Sequence, residues 1–216
     1  MNRLKSNQGG GVAGIIFVLS MVVISFLVPP PPGTDEPASE SLKYLADNRS
    51  AMMIQASLSA LPTFPLFLLV PVWRRFLDSR GESNGVFSSA ASTGILLGWA
   101  IGVAVALMFG ALAFLSESTL DEEAARNLSV VLTVGYGGAV VFWGSGALFA
   151  GLALVGEKDA ARWAGWLGIV VALLSAISVF GWSNEGLTAP GQLMFVGYLS
   201  NMVFLLTASI LLLRDR

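Results

Sequence analysis

TGILLGWAIGVAVALMFGALAFL, residues 93–115, runs for 23 residues without an Asp, Glu, Lys or Arg. As a helix rising 1.5 Å per residue it would be about 35 Å long, enough to cross a hydrocarbon layer of about 30 Å. Gly94, Gly98, Gly102, Ala106 and Gly110 recur within it at four-residue intervals. Such a stripe of small side chains lets a second helix backbone come close, so these five residues are expected to form a helix-packing face.

Five further uncharged apolar runs lie outward from this one, at 12–29, 52–73, 129–155, 163–182 and 190–213. Every charged side chain therefore falls in a loop or a tail, as expected when a charge at mid-bilayer costs about 2.5 to 3.5 kcal/mol. The chain is 55% hydrophobic and 12% charged, with a mean hydropathy of +0.73, which does not fit a water-soluble domain. The fold class is all-α: a single transmembrane domain over residues 1–216, built as an integral membrane bundle of six transmembrane helices. The basic start Met1-Asn2-Arg3-Leu4-Lys5 before the first run reads as an uncleaved helix entry, because the run continues into Pro29-Pro30-Pro31-Pro32 without a small-x-small cleavage pattern.

Orientation follows from the basic residues. If the N-terminus is inside, Lys43, Arg49 and Arg126 lie outside and the other nine of the twelve lie inside. That distribution places both the N-terminus and the C-terminus in the cytoplasm. Trp73 and Trp163 next to inner basic residues, and Trp182 and Tyr44 at the outer edges, read as interfacial anchors. Within the long outer connection, residues 37–50 can form a short surface helix with Leu42 and Leu45 on one face. Pro62, Pro65 and Pro71 are each expected to disturb the second helix, and a broken helix can line a cavity.

The absences bear most directly on function. Cys 0 and His 0 remove thiolate and imidazole nucleophiles, bases and metal ligands, and no carboxylate lies within a span to relay protons or couple ions. No cofactor and no metal site is implied. The outer cluster Glu117, Asp121, Glu122 and Glu123 reads as a solvated charge run without calcium-loop spacing. A net charge of -2, with no basic run, argues against nucleic acid. No catalytic residues are assigned, and an enzyme would have to place a lipid-modifying site in the outer acidic loops.

Polar residues inside the spans are the candidates for ligand binding: Asn201 at the centre of the last run, Tyr198 one turn before it, Thr63, and Gln55 near the outer end of the second run. Each equally suits an interhelical hydrogen bond.

The order of features resembles a family of bacterial six-helix membrane proteins classed as a domain of unknown function. The resemblance is carried by Gly9-Gly10-Gly11-Val12-Ala13-Gly14, Tyr44-Leu45-Ala46-Asp47-Asn48-Arg49, Arg162-Trp163-Ala164-Gly165-Trp166-Leu167-Gly168 and Leu211-Leu212-Leu213-Arg214. It spans nearly the whole chain and differs at Ala160-Ala161-Arg162, where the family carries a Pro before the Trp. It implies topology and a setting in the bacterial cytoplasmic (inner) membrane, without an activity. Two functions fit these residues. One is a structural or accessory subunit of a membrane complex, with other membrane-protein subunits or further copies as partners within the lipid bilayer. The alternative is a carrier or binder of a neutral lipophilic small molecule.

Overall fold

A computed structural model of the chain describes residues 3–33, 36–80, 84–178 and 193–215. Among them the regular structure is entirely helical: α1 (Arg3–Ser25), α2 (Ala38–Asp47), α3 (Arg49–Ser59), α4 (Thr63–Asp78), α5 (Asn84–Leu115), α6 (Glu122–Leu154), α7 (Asp159–Ile177) and α8 (Met194–Arg214). With α3 and α4 taken as one interrupted span over Arg49–Asp78, six helices among the described residues are long and apolar enough to cross a membrane.

Helix ends depart from the apolar runs for physical reasons. Hydropathy marks where the bilayer lies, whereas a helix continues as long as its backbone bonds and caps allow. Accordingly α6 starts seven residues before its apolar run, where the Asp121 carboxylate accepts a hydrogen bond from the Ala124 N–H at 2.7 Å and Glu122 and Glu123 occupy the first turn. That arrangement satisfies an orphan donor and places negative charge at the positive helix end. In the opposite sense, α1 stops at Ser25, short of the proline run, and its last turn tightens through Phe26 N–H to Val23 O and Leu27 N–H to Ile24 O. Trp182 and the ends of the last two runs that face each other lie outside the described residues.

Of the three prolines in the second span, one coincides with the break. Pro62 sits between α3 and α4, where the N–H groups of Leu61, Thr63 and Phe64 bond three residues back to Leu58, Ala60 and Leu61. Pro65 falls in the first turn of α4, where its missing N–H has no intrahelical partner to lose, and α4 carries Pro71 in its interior.

The spans close into a ring of chain neighbours. Going round, α1 packs on the α3–α4 span, that span on α5, α5 on α6, α6 on α7, α7 on α8, and α8 back on α1. Backbones approach most closely where glycines face each other. A Cβ on Gly94 would stand 2.7 Å from Phe142 O and from Gly146 N across the α5–α6 crossing, and one on Gly151 would stand 2.7 Å from Gly165 O across α6–α7.

The end where α1 begins and α8 ends, here called proximal, is held by polar contacts as well. Arg80 Nη2 lies 2.7 Å from Asp215 Oδ1 and Asn7 donates to Asp215 Oδ2 at 2.9 Å, joining α1, α4 and α8. In this half the ring is filled by Phe17, Leu69, Trp73, Phe204 and Leu212. Trp73 is therefore not an interfacial anchor: it is 1% exposed, stacks on Phe76 at 5.2 Å and meets the edge of Phe204 at 6.4 Å. Trp163, in contrast, is 76% exposed. At the distal end a second apolar cluster of Leu45, Met52, Leu112, Ala125 and Leu132 seats α2 on α3, α5 and α6. Rows such as Val12, Ile16, Leu19 and Val23 on α1 remain uncovered by protein, a surface suited to acyl chains.

A candidate intramembrane cavity

The distal half of the ring is not filled. It holds a cavity of about 640 Å³, bounded by the last turn of α1, the chain Pro29–Gly33, α2, α3, α5, the first two-thirds of α6 and the first turns of α8. This lies within the range of small-molecule pockets. Along α6 its lining reaches from Arg126 to Trp143, about 25 Å of helix at 1.5 Å per residue, so it is long and narrow.

Aromatic rings form the floor, and their polar atoms are mostly spent on protein. Trp143 Nε1 donates to Ile95 O at 3.1 Å and Trp99 Nε1 donates to Thr63 Oγ1 at 2.9 Å. Each indole then offers carbon surface to the cavity. Ser25 Oγ donates to Met21 O at 2.8 Å; with its single proton committed there, the 2.7 Å contact between Ser25 Oγ and the Tyr198 hydroxyl has Tyr198 as donor. The Tyr136 ring lies 6.2 Å from that of Tyr198. Its hydroxyl has no hydrogen-bond partner among the described residues.

The floor is open because Gly102 has no side chain. A Cβ there would meet nothing nearer than Ala139 Cβ and Tyr136 Cε2, both at 3.9 Å. The small-residue stripe of α5 thus divides by task. Gly94 and Gly98 meet α6, Gly110 faces Ala56 of α3, and Gly102 and Ala106 border the cavity between those contacts. Four-residue spacing on a helix of 3.6 residues per turn drifts around the axis, which brings successive members to different neighbours.

The four polar candidates separate likewise. Tyr198 and Gln55 line the cavity. Gln55 donates its Nε2 to Ile24 O at 2.9 Å, bridging α3 to α1, and its amide oxygen has no partner among the described residues. Thr63 acts one step behind the wall, through Trp99. Asn201 lies elsewhere: 2% exposed, it donates to Ser175 Oγ at 2.8 Å and to Gly197 O at 2.9 Å, tying α8 to α7. A double-mutant cycle of Asn201→Leu and Ser175→Ala, read by unfolding in detergent, is expected to give a coupling of about 0.6 kcal/mol. A coupling near zero would remove this bond from the packing of α7 on α8.

The mouth carries groups that sequence reasoning did not select. Tyr44 donates its hydroxyl to Pro29 O at 2.7 Å, pinning the proline strand to α2, and burial pushes this phenol up to about 12, so it remains a donor through the neutral range. Ser41 of α2 and Arg126 of α6 also line the mouth. Only α2 folding back onto α6 puts both in one lining, and no spacing in the chain signals it. Tyr136 had a local signal, as a phenol within Gly135-Tyr136-Gly137-Gly138 in the middle of a span. Among the described residues no group of carboxylates could hold a metal ion, and the acidic outer cluster is partly engaged, with Asp121 capping α6 and Glu117 2.8 Å from Arg49.

No curated protein and no solved structure matches the chain. A model of the family described as a domain of unknown function, DUF4386, matches residues 12–209. With that match covering nearly all six spans, this multi-pass membrane chain belongs to the DUF4386 family.

Proposed function

We propose that this bundle is a non-enzymatic binder or carrier of a lipophilic small molecule, held in the distal cavity. The observation that carries the reading is the cavity itself: long, walled by apolar and aromatic side chains, and opening at one end of a ring that is otherwise closely packed. Exclusion of water from such a wall favours apolar ligands by about 25 cal/mol per Å² buried. The lack of Cys and His supports a non-catalytic role. The basic-residue distribution supports a bacterial cytoplasmic membrane setting with both termini inside, so that the cavity would open outward.

Gly102→Leu tests the reading, because the new side chain projects into the cavity and not into a neighbouring backbone. Native mass spectrometry of the full chain in mild detergent is expected to show a specific retained small molecule on the wild type and at least about tenfold less of it on the variant, with unchanged thermal unfolding. Equal retention by both proteins, or none by either, would count against the cavity as a binding site.

A second reading, as an accessory subunit or homo-oligomer, is favoured by α7, which leaves Trp163, Trp166, Val170, Leu173 and Ile177 in one exposed row. The same spectra test it: stoichiometric protein partners would make the bundle a subunit, and a clean monomer across several detergents would argue against that.

A further inference from the structure

The cavity has a chemically distinct mouth. Among the described residues Arg126 is the only charged one in its lining. On α6 it follows Glu123 by three residues and Glu122 by four, spacings at which an ion pair forms readily on a helix surface. Neither pair is made, and among the described residues Arg126 has no hydrogen-bonding or ionic partner. The other two cations of this end are taken, Lys43 by Glu40 at 4.0 Å and Arg49 by Glu117 at 2.8 Å. Ser41 of α2, a helix that packs on α6, also lines the cavity, and its hydroxyl has no hydrogen-bond partner among the described residues. A cavity-lining hydroxyl without a protein partner is free to donate to or accept from a ligand. An uncommitted cation and an unpartnered hydroxyl in the lining of a long apolar slot suit a ligand that brings an anionic head for Arg126 and Ser41 and a chain for the slot.

We propose that the ligand class is a single-chain amphiphile with an anionic phosphate or carboxylate head, the head on Arg126 and Ser41 and the chain running toward Trp99 and Trp143. This rests on the cavity-binding reading and adds the head-group chemistry to it. The described carboxylates of the distal end do not oppose such a head strongly, since none of them lines the cavity and exposed charges are screened within about 8 to 10 Å at ordinary salt.

The test compares dodecyl phosphate, its neutral counterpart dodecanol, and inorganic phosphate, each titrated into the full chain in a non-ionic detergent and read by native mass spectrometry. Wild type is expected to take up one dodecyl phosphate about tenfold more tightly than dodecanol, the worth of one charge-assisted hydrogen bond. Arg126→Gln should bring the two probes to within about twofold, Arg126→Lys should restore part of the difference, and added salt should weaken the phosphate probe alone. Arg126 is exposed and has no partner among the described residues, so these variants are expected to keep wild-type unfolding. Equal uptake of both chain probes by wild type, or a preference that survives Arg126→Gln, would overturn the head-group assignment and leave the cavity reading standing. Displacement of dodecyl phosphate by inorganic phosphate at similar concentration would show a site for the free anion and overturn the amphiphile. Failure of wild type to bind either chain probe, with Gly102→Leu behaving identically, would overturn both readings.

Discussion

Gly94→Leu is expected to cost the bundle about 3 kcal/mol, at the upper end of what overpacking usually costs, and to lower the yield of folded protein in detergent sharply. The collision is with main chain: the new Cβ would come within 2.7 Å of Phe142 O and Gly146 N and 2.9 Å of Gly146 Cα. Backbone atoms in the middle of α6 cannot rotate aside as a side-chain tip can, so α5 and α6 would have to separate along their crossing. Gly102→Leu, two turns further on the same helix and in the same stripe, should leave stability almost unchanged, because its Cβ meets nothing closer than 3.9 Å. Thermal unfolding followed by circular dichroism would compare the two. Similar midpoints for both variants would mean that the α5–α6 crossing is not the close contact described.

Trp73→Ala is the second large effect, with an expected loss of about 3 to 5 kcal/mol from truncating a fully buried aromatic residue. Trp73 holds the middle of the filled half of the ring. It stacks on Phe76 of its own helix and meets Phe204 of α8 edge-on, so its removal leaves a void between α4 and α8. Trp163→Ala provides the comparison, since that ring is largely exposed on α7 and its loss should barely move the unfolding midpoint. A Trp163→Ala variant as damaged as Trp73→Ala would show that α7 is covered by a protein partner even in detergent, which would favour the subunit reading.

These two tryptophans show where sequence reading loses its grip. Each stands next to an arginine at the end of an apolar run, Trp73 before Arg74 and Trp163 after Arg162, so linear context assigns both to the membrane interface. Which way a ring points depends on the rotation of its helix about its own axis. That rotation is set by the neighbouring helices, here α8 supplying Phe204 to one ring and nothing described covering the other. The proline positions were legible as irritants of the second span, but their consequences depended on register within the helix: Pro62 falls at the break, while α4 continues through Pro71.

The candidate site was half legible. A polar side chain inside a span is conspicuous in a chain whose spans carry no charge, which singled out Tyr198, Gln55, Thr63 and Asn201. Whether such a side chain faces a void or a neighbouring helix is not written in its local context, and Asn201 spends its amide on Ser175 and Gly197 while Tyr198 borders the cavity. Ser41 and Arg126 were invisible for a further reason. They lie 85 positions apart in connections outside the apolar runs, where polar residues are the norm.

Linear order alone carries the six-span architecture, because burial in lipid is a property each segment settles for itself: about 20 uncharged residues either cross the bilayer or leave their backbone and side chains in an unsuitable solvent. The same holds for the short amphipathic α2, whose apolar face is written in Leu42 and Leu45. The cavity is different in kind. It exists because the ring is packed solid by aromatic and leucine side chains at the proximal end and lacks side chains to fill it at the distal end, where Gly102 and Ala106 face inward and α2 with the proline strand forms the rim. A void is the sum of what six helices from distant parts of the chain fail to occupy, so it appears only once their rotations and crossings are set by packing against one another.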